Sequence, residues 1–488
     1  MEINGITKFL ENKNILITGV PGFLAKIYVE KILRVQPKVA KLFLILRAED
    51  SESAEKRLQE EVISKDLFKV LKEMYGETFD AFISEKMTAV VGDISCMNLG
   101  IRDMGMIEQL WRKIDVIVNI AATTRFDERY DSALGINTMG AKNVLDFAKK
   151  CVKLEMLLHV STAYVCGERT GVIIDNPFKM GETLNGNPGL DVEQEHKIIQ
   201  QKMLELQARH ATKQEETIAM RELGMQRSRF YGWPNTYVFT KSMGEMVIGH
   251  ERGNIPLCIM RPTIIIGTYK EPFSGWMEGF RTVDGFVIGY GKGKLTSLFL
   301  ESDVILDLIP ADMVVNAMIV AMANHANQPN EFIYQVGSSM RNPFIVCVLR
   351  DYAYHYFYEN PWINSSGNPV RVRKATLFNT AASFHRHIFM RYLLPLKVLQ
   401  VLNRVLCNKL HRTYTNINRK VKFMLRIMEL NRPYLLFKGI FDTTKIEGLR
   451  GTLTNESELK TYYFDPSIID WEFYFMNIYF PSIVKYVF

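Results

Sequence analysis

Asn14-Ile15-Leu16-Ile17-Thr18-Gly19-Val20-Pro21-Gly22-Phe23-Leu24-Ala25 reads as an apolar strand, a G-x-x-G-x-x-A turn and the start of a helix predicted over residues 24–35. Gly19 permits the tight turn, Gly22 lets the backbone approach a pyrophosphate, and Ala25 lets the helix pack close to a sheet. A diphosphate would rest on the helix N-terminus, where amide N–H groups and the helix dipole favour an anion. Two glycines in a turn are common. The strand–turn–helix context is what points to a dinucleotide. Pro21 removes one N–H from the loop and with it one phosphate contact.

Outward from this turn, residues 41–46 (KLFLIL), 87–91, 116–120 and 156–160 are further apolar runs separated by helical stretches. Strands apolar on both faces and alternating with helices predict a parallel sheet covered by helices. Residues 181–229 break the pattern. Within them 191–223 carries Ile198, Ile199, Met203 and Leu206 at helical spacing in a polar background, which predicts one or two inserted helices. The α/β pattern resumes at 256–266 and runs to about Val336. A second unit is expected to join near residues 341–343.

At 488 residues the chain exceeds what one core usually fills, so two units are expected. Its 47% apolar and 23% charged content excludes disordered and low-complexity classes. The six cysteines form no C-x-x-C pair and no Cys/His cluster, so neither a disulfide scaffold nor a structural zinc site is expected. The longest stretch free of Lys, Arg, Asp and Glu, residues 313–330, carries Asn324, His325, Asn327 and Pro329 and does not suit a bilayer span. The amino terminus, MEINGITKFLENK, is too polar for a signal peptide and too acidic for a transit peptide, and the final KYVF is not a retention signal. The expected address is the cytosol or the cytosolic face of a membrane. The net charge of +7 is unevenly spread. Residues 360–428 hold thirteen of the sixty Lys and Arg and no Asp or Glu, leaving the rest of the chain net acidic. An anionic partner is expected for that segment.

Arg47 follows the second strand, where a ribose 2′-hydroxyl binder would place an acid. An arginine there suits the 2′-phosphate of NADPH, although Glu49 and Asp50 leave an ordinary surface arginine open. Asp93 ends the next strand and is placed either to accept from the adenine amino group or to make an Asx turn. Tyr237 and Lys241, at i and i+4, share one helix face. The ammonium is expected to lower the tyrosine pKa, so that the hydroxyl passes a proton to or from a substrate oxygen. Ser161 and Thr162 stand where a strand ends, at the sheet edge that binds ligands in such folds. A hydroxyl there can donate to a carbonyl oxygen gaining charge. Cys166 is either a core thiol or a route to a covalent thioester.

The stretches TGVPGFLAKIYVEKILRVQP (18–37), LFLILRA (42–48), GDIS (92–95), NIAATTRFDERYDSALGINTMGAKNVLDFAKKC (119–151), HVSTAYVCG (159–167), YGWPNTYVFTKSMGEM (231–246), IMRPTIIIGTYKEPFSGW (259–276) and LIPADMVVNA (308–317) complete the picture. Over nearly its whole length the chain resembles the extended short-chain dehydrogenase/reductases, and within them the plant alcohol-forming fatty acyl-CoA reductases. It departs from the family at Val20-Pro21, where small residues are more usual.

The resemblance implies an α/β, Rossmann-type doubly wound parallel sheet with a helical insertion (181–229) and a smaller, mostly helical C-terminal domain. The reductase domain is expected over 1–345 and the C-terminal fatty acyl-CoA reductase domain over 346–488. It implies a cofactor loop of Thr18, Gly19, Gly22, Phe23, Leu24 and Ala25, and a 2′-phosphate contact at Arg47. Asp93 and Ile94 fall on the adenine side, Asn119, Ala121 and Ala122 beside the nicotinamide-side ribose, and Arg261, Pro262 and Thr263 near the nicotinamide. Thr162, Tyr237 and Lys241, with Ser161 adjacent, would be the catalytic set, and no metal is called for. The implied reaction takes a long-chain or very-long-chain fatty acyl-CoA to a primary alcohol with NADPH, through a bound aldehyde. Wax, suberin and pollen-wall lipid supply are all compatible with the family, and no nucleic acid partner is implied. The basic segment 360–428, with the apolar residues of 384–410 interleaved, is expected to rest on the cytosolic face of the endoplasmic reticulum membrane; the competing readings there are an apolar face packed as core and charges that bind the phosphates of coenzyme A. The competing readings are a reductase of the same fold acting on a sterol or sugar nucleotide, and a non-catalytic membrane-peripheral scaffold.

Overall fold

In β1 (Asn14–Thr18) all but the first residue are buried. The computed structural model that shows this describes residues 5–488 except 280, 281, 302 and 379. Residues 1–4, the start of the segment read for targeting, lie outside the described residues. The chain continues through α1 (Phe23–Val35), β2 (Lys41–Leu46), β3 (Met87–Val91), β4 (Val116–Asn119) and β5 (Met156–Val160). After these come α2 (Val192–Ala208), α3 (Lys213–Phe230), α4 (Thr236–Glu251), β6 (Leu257–Pro262) and β7 (Glu331–Val336). The seven strands form one sheet in the order β7-β6-β5-β4-β1-β2-β3, every neighbouring pair parallel. This is the doubly wound Rossmann-type sheet that the apolar runs predicted. β4, β5 and β6 are buried along their whole length, as strands covered by helices on both faces must be.

The strand order reverses between β1 and β4. The crevice at their carboxyl ends is where such sheets take ligands. Leu16, Ile117 and Leu157, on β1, β4 and β5, belong to one core cluster under this edge and are at most 1% exposed. Truncating such a residue to alanine removes packed apolar volume and costs about 2–5 kcal/mol.

One boundary differs from expectation for a local reason. β4 stops at Asn119 rather than Ile120, because the chain turns across Gly19 there and the Ala121 N–H donates to Thr18 Oγ1 at 3.2 Å. The insertion is two helices, broken at His210, whose φ is +53°. Asp191 caps the first, and a Thr212–Glu215 capping box starts the second. The buried carboxylate of Glu195 anchors the pair. It accepts from Arg227 Nη2 at 2.5 Å and from Tyr130 Oη at 2.8 Å.

The chain divides into two compact units that interleave along the sequence. The first comprises Met1–Gly279, Asp307–Asn342 and Gly439–Asp470, and the second Phe280–Leu306, Pro343–Lys438 and Trp471–Phe488. The first holds the sheet. It includes a short parallel pair in which Gly439–Phe441 runs beside Gly171–Ile173. The second is mostly helical and is centred on rings such as Phe344, Trp471 and Phe475, with Phe344 stacked on Phe475 at 4.9 Å. Its helix α5 (Leu394–Val405) exposes Leu394, Val398, Val401, Leu402 and Val405, a stripe that Met390 and Leu406 extend. Among the described residues, no helix is long and apolar enough to cross a membrane.

Candidate active site

Gly19 takes φ +77°, and a Cβ there would lie 2.7 Å from the Cα and N of Ala121. Only glycine fits where β1 turns against the chain leaving β4. The turn closes through Gly22 N–H donating to Gly19 O at 2.8 Å, and Gly22 then serves as the N-cap of α1 with no side-chain cap over the helix end. Val20 and Ala25 are fully buried and Leu24 nearly so, while the Phe23 ring stacks on Trp276 at 5.1 Å.

At the ends of β2 and β3, to one side of β1, stand Arg47 and Asp93. The Arg47 side chain is exposed. Asp93 Oδ1 accepts from Ser95 N at 2.9 Å and Ser95 Oγ at 2.8 Å, which is the Asx turn. Ile94 is buried against Gly140, where a Cβ would lie 2.8 Å from its side chain.

On the other side of β1, α4 carries the tyrosine and lysine. Its start is pinned by Asn235 Oδ1, which accepts from Val238 N at 3.1 Å, and by Thr236 N–H donating to Phe126 O at 3.1 Å. Gly244 lets the helix pack on the segment below, since a Cβ there would stand 2.4 Å from Asn137 O. Tyr237 is half-buried, with Phe126 beside its ring at 6.3 Å. Burial pushes its hydroxyl up to about 12, with the nearby Thr162 hydroxyl acting in the opposite direction. The expected lowering by the ammonium is therefore corrected. Lys241 turns its Nζ toward β5, donating to Val160 O at 2.7 Å with His159 Nε2 at 3.2 Å. Burial lowers Lys241 to about 8, partly offset by Glu245. Glu245 is in turn held by Arg261, with Nη2 to Oε2 at 2.5 Å, and both are buried.

Thr162 Oγ1 accepts from Tyr164 N at 3.4 Å and donates to Pro262 O at 3.5 Å. Ser161 Oγ is buried with no hydrogen-bond partner among the described residues. Thr263 Oγ1 donates to Asp307 Oδ1 at 2.9 Å, so its hydroxyl supports the loop after β6. Cys166 is buried with its thiol pushed up to about 12, a core thiol in its protonated form.

The structure thus gathers Thr18, Gly19, Asn119 and Ala121 at the switch point and sets Thr162 near Tyr237. Arg47 and Asp93 stand apart from these, after the ends of β2 and β3. A glycine cradle that a Cβ would fill, an uncapped helix N-terminus and the orphaned Ser161 hydroxyl fit a dinucleotide. Sequence reasoning missed His159 and Glu245. The available signal for His159 was a polar residue near the end of a strand otherwise apolar on both faces.

An NAD-binding family profile described as "Male sterility protein" matches residues 17–318, and a second profile of the same description matches 391–488. The chain is 51% identical to an alcohol-forming fatty acyl-CoA reductase of Simmondsia chinensis, covering 100% of this chain and 99% of the relative. It is 50% identical to fatty acyl-CoA reductase 1 of Arabidopsis thaliana at the same coverage. In fold it is similar to the terminal R domain of the myxalamid PKS-NRPS pathway, with TM-score 0.55 and 16% identity over 93% of this chain and 90% of that one.

Proposed function

The chain belongs to the alcohol-forming fatty acyl-CoA reductases, and on that premise we propose that it reduces long-chain or very-long-chain fatty acyl-CoA to a primary alcohol with NADPH, releasing coenzyme A through a bound aldehyde. Taking a thioester to an alcohol consumes two hydrides and two protons, and NADPH when bound supplies the hydrides. Thr18, Gly19, Gly22, Phe23 and Leu24 would hold its diphosphate, Arg47 its 2′-phosphate, Asp93 and Ile94 its adenine end. Asn119, Ala121, Lys241, Pro262 and Thr263 would hold its nicotinamide end.

One proton is taken up by the departing coenzyme A thiolate, and the one on the alcohol oxygen comes from Tyr237. At neutral pH its phenol is fully protonated, which is the state a general acid needs. Thr162 orients that hydroxyl, and the two together steady the oxygen as it gains charge. Ser161 offers a further buried donor beside them. The nearness of the Thr162 hydroxyl to that of Tyr237, beside the unpartnered Ser161 hydroxyl, carries this reading. Its test is Tyr237→Phe. Alcohol formation is expected to vanish while NADPH still binds by fluorescence titration. Turnover equal to the parent would overturn the assignment.

By sequence bounds, residues 1–345 are assigned to the reductase domain and 346–488 to the C-terminal domain, with α2 and α3 as a lid or acyl-channel wall. The basic segment 360–428 is proposed to rest on the surface of an anionic membrane, the cytosolic face of the endoplasmic reticulum. The apolar stripe of α5 lies among exposed Arg391, Lys397, Arg404 and Lys409, the composition of a helix that rests in a lipid interface. A water-insoluble alcohol leaves such an enzyme most directly into lipid.

A further inference from the structure

Thr18, Asn119 and His159 are register partners on β1, β4 and β5, and their side chains make one buried row across the sheet that ends on Lys241. Thr18 Oγ1 donates to Asn119 Oδ1 at 2.6 Å. Asn119 Nδ2 lies 3.0 Å from His159 Nδ1, and His159 Nε2 lies 3.2 Å from Lys241 Nζ. The row is closed at both ends, by Ala121 N–H donating to Thr18 Oγ1 at 3.2 Å and by Lys241 Nζ donating to Val160 O at 2.7 Å.

Such a row has only two self-consistent senses. A carboxamide donates from nitrogen and accepts at oxygen. A neutral imidazole donates from one nitrogen and accepts at the other. An ammonium only donates, whereas an amine also accepts. In the sense just described, Asn119 donates to His159 Nδ1, the imidazole proton sits on Nε2, and it points at Lys241, which must be an amine. With an ammonium at Lys241 every link runs the other way. His159 Nε2 accepts, Nδ1–H donates to Asn119 Oδ1 after the carboxamide turns over, and Asn119 Nδ2 donates to the second lone pair of Thr18 Oγ1, whose own hydrogen then points out of the row. A mixture leaves two hydrogens or two lone pairs facing each other at one link; an amine N–H could also meet Nε2 in the second sense, but only the first sense gives the Thr18 hydrogen an acceptor in the row.

We propose that His159 is a positioning residue for Lys241, and that the Thr18–Asn119–His159 row reverses its hydrogen-bond sense when Lys241 changes charge. The imidazole stays neutral in both senses. Burial and the neighbouring lysine charge hold His159 well below its ordinary value. Among the described residues, the charged groups acting on the pair are Lys241 itself and Glu245 on the same helix, which Arg261 on β6 engages. The row ends at the residue before Gly19, so the charge of Lys241 is linked to the strand end that would hold the dinucleotide.

The proposal rests on the reading of Lys241 as a site residue only for its consequence in turnover. The row itself stands on its geometry. The test is the tautomer of His159 in full-length protein labelled with [15N]histidine, its signal identified by loss in His159→Gln. Nitrogen shifts followed from about pH 6 to about pH 10 separate the two neutral tautomers from the imidazolium. The expected result is Nδ1–H at the acid end and Nε2–H at the alkaline end, crossing near the lysine value of about 8. Lys241→Met should hold one tautomer throughout. A single tautomer across the range in the parent, an imidazolium, or a crossover that survives Lys241→Met would overturn the proposal. In the pH profile of kcat/KM, His159→Leu should displace the ionisation near 8, while His159→Gln, whose carboxamide serves either sense, should keep it. A parent profile in His159→Leu would count against the proposal. The tautomer is read without turnover, so it can fail while the reductase reading stands, and the reverse.

Discussion

Lys241 Nζ donates to the main-chain oxygen of Val160 at 2.7 Å, in a site where only 1% of the lysine is exposed. A carbonyl dipole and an imidazole compensate an ammonium less well than water does, so the charged form is disfavoured.

Lys241 therefore weakens the fold at neutral pH. Its folded-state value, about 8, lies below 10.5, so between these the unfolded chain binds more protons and stability rises with pH. Below about 8 the penalty is complete, and it corresponds to about 3 kcal/mol. Lys241→Met is expected to raise the denaturation midpoint at pH 7, with the advantage shrinking toward pH 10, while turnover is lost. Urea unfolding at both pH values checks this.

Gly19→Ala should remove dinucleotide binding altogether. Its Cβ would meet Ala121 backbone at 2.7 Å in a conformation that L-residues rarely adopt. A binding titration against NADPH, with circular dichroism to show that the fold persists, is the check.

Arg47→Ala should raise the KM for NADPH about 10- to 150-fold, the loss of one charge-assisted contact, and leave that for NADH nearly unchanged. Equal effects on both cofactors would make Arg47 an ordinary surface residue.

The α5 stripe predicts co-sedimentation with liposomes that strengthens with anionic lipid and weakens with salt. Each basic residue near the surface contributes about 1 kcal/mol. Replacing Arg391, Lys397, Arg404 and Lys409 by Gln should abolish it. If binding survives while acyl-CoA affinity falls, the charges serve coenzyme A instead.

The strands were legible because each is a short apolar run bounded by polar residues, and β1, β2, β3 and β5 fall where those runs do. Thr18, Gly19, Tyr237 and Lys241 were legible because their roles depend on local spacing: a turn, or one helix face. The row through His159 was not, because it depends on register across three strands that the sequence separates by about a hundred residues and then forty. The interleaving of the two units was equally hidden. The return of Gly439–Phe441 to Gly171–Ile173 rests on three paired residues that carry no distinctive periodicity. The direction of the Tyr237 shift was misjudged because i, i+4 spacing shows that two side chains share a face, not which way the longer one turns.

The most direct test of the account is product identity. Purified full-length protein is incubated with NADPH and a panel of long-chain and very-long-chain acyl-CoAs, and the lipids are separated by chromatography. The account predicts primary alcohol with two NADPH consumed per coenzyme A released, and none from Tyr237→Phe. Aldehyde as the end product at one NADPH per coenzyme A, or no acyl-CoA consumed by protein that binds NADPH, would contradict it.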